Sequence, residues 1–129
     1  MKDRLKKEFD LVASRYGQLE ISPNFDWVII KFFNLTVGWS KGSISVLLII
    51  PPGYPLTPPD NFFTDPELRL ANGSCPTNCS EKQTQIGRLW LQFSYHVENG
   101  DWNPHAEPEK GHNLLTFLKG VETRLGEVS

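Results

Sequence analysis

Cysteine is scarce. Cys75 and Cys79 are the only two in 129 residues, which excludes a disulfide framework. Long apolar runs are missing as well. The longest, Ile44 to Ile50, is interrupted by Ser45 and stopped by Pro51-Pro52, a strand length and far short of a membrane span. There is no surplus of positive charge. Thirteen basic residues face 15 acidic ones, the net charge is −2, and no Lys/Arg stripe is visible, so nucleic acid is not expected as the main ligand. The first residues, Met1-Lys2-Asp3-Arg4-Leu5-Lys6-Lys7-Glu8, carry charge where a secretory signal needs an apolar stretch. The expected compartment is the cytoplasm, with no membrane partner. Neither an internal repeat nor a linker is visible.

What is present fits one globular domain over residues 1–129. Hydrophobic residues make up 39%, charged residues 22% and aromatics 12%, ordinary values for a chain that builds a core without staples. Leu5, Phe9, Val12 and Tyr16 recur at helical spacing and Gly17 follows, which predicts an amphipathic helix over 3–16 with a glycine stop. A short strand is expected at 18–21, then a β-branched and aromatic strand at 27–33, a further segment at 35–39 and the clearest strand at 43–50. Short turns between them predict an antiparallel meander.

The character then changes. Pro51, Pro52, Pro55, Pro58 and Pro59 forbid a regular helix or a central strand there. Residues 62–64 read as a short edge strand. Residues 71–88 are polar and read as a loop, and 89–97 read as one more strand. Asn99-Gly100-Asp101 forms a turn closed by Trp102-Asn103-Pro104. Leu114, Phe117, Leu118, Val121 and Leu125 mark a closing helix, with Pro108 near its start. The order predicts an α+β domain with helices against an antiparallel sheet.

The most distinctive stretch is Tyr54-Pro55-Leu56-Thr57-Pro58-Pro59, directly after a strand. It resembles the YPxxPP signature of the ubiquitin-conjugating enzyme superfamily. Asp65-Pro66 stands where that family has His-Pro-Asn, Asn72-Gly73-Ser74-Cys75 resembles its Asn-Gly-x-x-Cys, and Trp102-Asn103-Pro104 resembles its Trp-Ser-Pro. The resemblance runs from about residue 3 to residue 125. It implies a UBC-like fold with one C-terminal helix, as in a short bacterial member. Glu67 occupies the place of the oxyanion-supporting Asn, and a carboxylate cannot donate a hydrogen bond unless protonated.

The chemistry implied by the resemblance is acyl transfer. A side chain accepts the C-terminal carbonyl of a ubiquitin-like protein from an activating enzyme, holds it as an ester or thioester, and passes it to an amine on a target. No cofactor or metal is implied. Two anchors place the nucleophile differently. Counted forward from Asp65 it falls on Cys75; counted back from Trp102 it falls on Ser94. The anchors are further apart than in the family, so a loop insertion is expected at 71–88. If 93–96 is a strand, Ser94 and His96 share a face, and His96 would serve Ser94 as a base. Taken alone, a Ser-x-His pair is more often a polar strand residue and a surface histidine. Cys75, beside Gly73 and Pro76, is otherwise an exposed loop cysteine.

Cys75 and Cys79 lack the further close Cys/His pair that a zinc site needs, so no metal is expected. Asp101, in the acidic turn before the Trp-x-Pro, would orient an incoming lysine. His105, Glu107, Glu109 and His112 surround the start of the last helix, where acidic residues ordinarily complement the helix dipole. Three function classes stand side by side: a conjugating enzyme, a catalytically inactive UBC-like or RWD-type module that binds ubiquitin-like proteins or other partners, and an unrelated α+β domain.

Overall fold

The structure, a computed structural model, describes residues 1–98 and 100–129, without the side chains of residues 80–82. The chain opens with helix α1 (Lys2–Tyr16), which ends at Gly17 with φ 84°, a conformation that glycine adopts without a steric penalty. Strands β1 (Leu19–Ile21), β2 (Trp27–Asn34) and β3 (Ser43–Ile49) follow as the expected antiparallel meander. The proline-rich crossing leads to β4 (Phe62–Thr64), then to the hairpin of β5 (Cys79–Gln85) and β6 (Arg88–Phe93). A 3-10 turn, Pro108–Lys110, precedes the closing helix α2 (Leu114–Gly126). The six strands form one antiparallel sheet in the order β1-β2-β3-β4-β6-β5.

Four expectations need correction. Residues 35–39 form no strand, only isolated bridges from Trp39 to Val37 and Leu70. Residues 62–64 are not at an edge, because β4 pairs with β3 on one side and β6 on the other. Residues 71–88 are not one loop, because β5 lies within them and forms the sheet edge. The strand expected over 89–97 ends at Phe93, leaving Ser94–Val97 outside it. The expected turn at 99–101 falls partly outside the described residues, at Asn99; Asp101 N–H donates to Glu98 O at 3.0 Å.

The main core lies between the two helices and one face of the sheet. Leu5, Phe9 and Val12 of α1 and Leu114, Phe117, Leu118, Val121 and Leu125 of α2 pack against Val28, Ile30, Val46, Leu48, Phe62, Leu91 and Phe93. Side chains alternate along strands, so Ile29, Leu47, Phe63 and Trp90 form a second, smaller cluster on the opposite face. A register shift between Ile30 and Phe33 returns Phe33 to the main core and leaves Phe32 exposed.

One buried carboxylate fixes the helices to the crossing. Glu8 accepts from Arg4 Nε at 2.7 Å, from the Leu114 backbone N–H at 2.7 Å and from the Tyr54 hydroxyl. It thereby joins α1, the first turn of α2 and the start of the Tyr54–Pro59 motif. Burial, then the Glu8 charge, push the Tyr54 phenol well above its ordinary value. Asn113 caps α2 with its Oδ1 accepting from Thr116 N–H at 2.9 Å, while Thr116 Oγ1 accepts from Asn113 N–H at 2.9 Å, a reciprocal capping box.

Candidate active site

The proline-rich crossing and the Trp-x-Pro turn meet in space. Trp102 Nε1 donates to Pro55 O at 2.7 Å. The Trp102 ring lies 6.2 Å from that of Tyr54 and stacks on His112 at 5.4 Å. The crossing cannot offer a regular ladder of donors, because five of its residues are prolines; its free carbonyls are therefore available to partners such as this indole. Beside Trp102 lies a cavity of about 160 Å³ lined by Tyr95, Val97, Asp101, Thr116 and Phe117. Asp101, the chain neighbour of Trp102, is thus among the residues that line this cavity.

The crossing also holds the stretch after β6. Asn61 N–H donates to Tyr95 O at 2.8 Å, and Asn61 Oδ1 accepts from Tyr95 N–H at 3.2 Å. Asn61 sits at φ 63°, a conformation that asparagine tolerates better than most residues. Tyr95 is packed edge-on against Phe62 and Phe117. Its hydroxyl occupies the space beside Gly120, where a Cβ would come within 2.0 Å. With Tyr95 turned inward, Ser94, His96 and Glu98 are exposed, while Tyr95 and Val97 are half-buried. The alternation expected of a strand persists past its end, where Asn61 holds both backbone polar groups of Tyr95.

Ser94 is tied to the segment that follows the other nucleophile candidate, Cys75. Ser94 N–H donates to Asn78 O at 2.9 Å, and Cys79 stands opposite Phe93 in the hairpin register. Cys75 is exposed and Cys79 is half-buried. Burial, then the charge of Cys75, raise the Cys79 thiol above its ordinary value. The hairpin returns the chain from Cys79 to Phe93, which is how two positions far apart in sequence become neighbours.

His96 is not free. Its Nδ1 meets Asp60 Oδ1, a residue of the crossing that the sequence reading missed. No sequence signal links positions 36 apart. The other two histidines are spent on local structure. His112 Nδ1 accepts from Asn103 N–H at 2.9 Å, and His105 Nδ1 accepts from Glu107 N–H at 2.9 Å. Glu107 precedes the 3-10 turn and pairs with Lys110 at 3.0 Å. These residues build the approach to α2, but the first turn of α2 itself holds no acidic residue, so Glu107 and Glu109 flank the 3-10 turn rather than the helix dipole expected from the sequence.

Glu67, at the place of the oxyanion Asn, lies with Asp65 around Lys41, at 3.8 and 3.5 Å from its ammonium. This arrangement supplies no neutral amide donor. Among the described residues, no group of three or more His, Cys, Asp or Glu side chains could hold a metal ion. No helix among them is long and apolar enough to cross a membrane.

No curated protein and no solved structure matches the chain. A family model described as "Prokaryotic E2 family E" matches residues 8–128. The match reaches from the middle of α1, at the Glu8 carboxylate, through the crossing, the hairpin and the Trp102 corner to the end of α2. The chain therefore belongs to prokaryotic E2 family E, a ubiquitin-conjugating-like family.

Proposed function

We propose that the protein is a conjugating enzyme that carries the C-terminus of a ubiquitin-like modifier as an oxyester on Ser94 and transfers it to an amine. The observation that carries this reading is the exposed Ser94 beside the clamped Tyr95, two residues before a histidine paired with a carboxylate. Ser94 Oγ attacks the carbonyl of the modifier thioester presented by an activating enzyme. His96 takes the hydroxyl proton as the Oγ–C bond forms and returns it to the departing thiolate. In the second half an amine attacks the ester carbonyl. The amine proton passes through His96 to Ser94 Oγ, which leaves as the hydroxyl. The resemblance gives Asp101, at the cavity beside Trp102, the role of orienting the incoming amine, which attacks in its neutral form. In this reading the insertion is the stretch 71–88, which carries strand β5.

A second reading has its own support. Cys75 is exposed and stands where the count from Asp65 places the nucleophile, so a thioester on Cys75 is the competing intermediate. The test is adduct formation with activating enzyme, ATP and modifier. An adduct that resists reductant, is cleaved by mild hydroxide and is lost in Ser94→Ala is expected. A reductant-sensitive adduct lost in Cys75→Ala transfers the role to the thiol. Absence of any adduct with a competent activating enzyme leaves the family's non-catalytic, binding role.

A further inference from the structure

The three histidines divide by what faces their Nδ1 atoms. At His105 and His112 a backbone N–H points at Nδ1, so Nδ1 must be the lone-pair nitrogen and the neutral ring carries its proton on Nε2. At His96 a carboxylate faces Nδ1. An ionised carboxylate only accepts, so Nδ1 must carry the proton, and the neutral ring presents its lone pair at Nε2. We propose that Asp60 is a positioning residue: it holds His96 as the Nδ1–H tautomer and leaves Nε2 as the base for the Ser94 hydroxyl.

This inference rests on the Ser94 reading and assigns it a third member. The parts are built rather than incidental. Asp60 lies directly after Pro58-Pro59, whose rings stiffen the chain. Its neighbour Asn61 binds both backbone polar groups of Tyr95, the residue between Ser94 and His96. The carboxylate and the imidazole are thus carried by two segments bolted together one residue away from each. In the acyl step the Ser94 proton moves to His96 Nε2, and the ring becomes an imidazolium with both nitrogens protonated. The Asp60 charge stabilises that cation until the leaving thiolate takes the proton. The bond formed is Ser94 Oγ to the carbonyl carbon; the bond broken is that carbon to sulfur. The proposed roles follow the serine–histidine–carboxylate logic, which recurs on unrelated folds.

The first measurement needs no partner. Long-range proton–nitrogen spectra of histidine-labelled protein, above the histidine titration range, should show His96 as the Nδ1–H tautomer and His105 and His112 as Nε2–H. Asp60→Ala should move His96 alone to Nε2–H. Asp60 is exposed, with 70% of its side-chain surface open, so the variant keeps the fold. The second measurement is ester formation from a thioester of a peptide with the modifier's C-terminal residues. Asp60→Ala should lower kcat by about 10²-fold, in the range of general-base effects, with KM unchanged. In a His96→Ala background the same change should add nothing further, since residues acting as a unit are not additive. His96 as Nε2–H in the wild type, or an Asp60→Ala rate equal to the wild type, overturns the assignment of Asp60. A wild type that forms no ester with either the thioester peptide or the charged activating enzyme overturns the Ser94 ester reading and the positioning role of Asp60 with it. A wrong tautomer in an active enzyme overturns Asp60 alone.

Discussion

Glu8 shows how a single residue can hold three elements. It occupies the apolar stripe of α1, between Leu5 and Phe9, and none of its surface is exposed. Its oxygens accept from Arg4, Tyr54 and the Leu114 backbone. Replacing it with Ala would leave a phenol, a backbone N–H and a guanidinium in low dielectric without their acceptor. Breaking a buried charged network by removing one partner costs about 3–5 kcal/mol. Glu8→Ala should therefore lower the unfolding free energy by about that amount, read from urea denaturation. Tyr54→Phe removes one donor and leaves the carboxylate two others, and should cost only about 1 kcal/mol. The helix itself was legible from Leu5, Phe9, Val12 and Tyr16, but the role of Glu8 was not. A Glu on an apolar stripe signals a buried partner, yet its partners at Tyr54 and Leu114 follow from tertiary contact alone. The site divides in the same way. Ser94 and His96 could be picked out by spacing from Trp102, whereas Asp60 needed the folded chain to reach His96.

At the scale of elements, the sequence was legible wherever an apolar face alternates or recurs. Strands β2 and β3 and both helices bury such faces. Strand β5 was hidden because Cys79-Ser80-Glu81-Lys82-Gln83-Thr84-Gln85 has no apolar face to recur. An edge strand is held by its one neighbour and requires none. Its turn was hidden too. Gln85 pairs with Arg88 across a two-residue loop, Ile86-Gly87, with φ values of 46° and 79°. Tight hairpins of this kind want positive φ at both central residues, and Asn-Gly is their sequence sign. Ile86 is β-branched and pays a local steric cost of about 1–2 kcal/mol in that region. Ile86→Asn should thus stabilise the protein by about 1 kcal/mol, seen as a higher urea midpoint at unchanged slope. Strand β4 misled in the opposite sense. Three residues look like an edge, but Phe62, Phe63 and Thr64 are all buried because strands flank them on both sides.

On the scale of the whole molecule, the three tyrosines tie the helices to the rest. Tyr16, near the end of α1, donates to Glu122 of α2 at 2.9 Å and stacks on Phe33 of β2. Tyr54 joins the crossing to α1 through Glu8. Tyr95 joins the stretch after β6 to Phe117 and Gly120 of α2. Each phenol is held above its ordinary value. Burial, then the hydrogen bond to Glu122, push Tyr16 up to about 12; burial and Glu8 raise Tyr54; burial raises Tyr95. The folded state therefore keeps protons that the unfolded chain releases above the ordinary phenol value of 10.0. Below that pH both states hold them, and the contribution to stability is fully present. Above it the unfolded state is favoured, and the contribution is lost as pH climbs toward the folded values. A fully held tyrosine removes about 1.4 kcal/mol per pH unit. Tyr54, only 2% exposed, should approach that slope, and the more open Tyr16 and Tyr95 should contribute less. The expected result is that phenolate absorbance and loss of helical circular dichroism rise together in one cooperative alkaline step. Tyr54→Phe should shallow the pH dependence of the unfolding free energy above pH 10. Phenolate appearing near pH 10 with the helices intact would mean that the tyrosines do not lock the molecule.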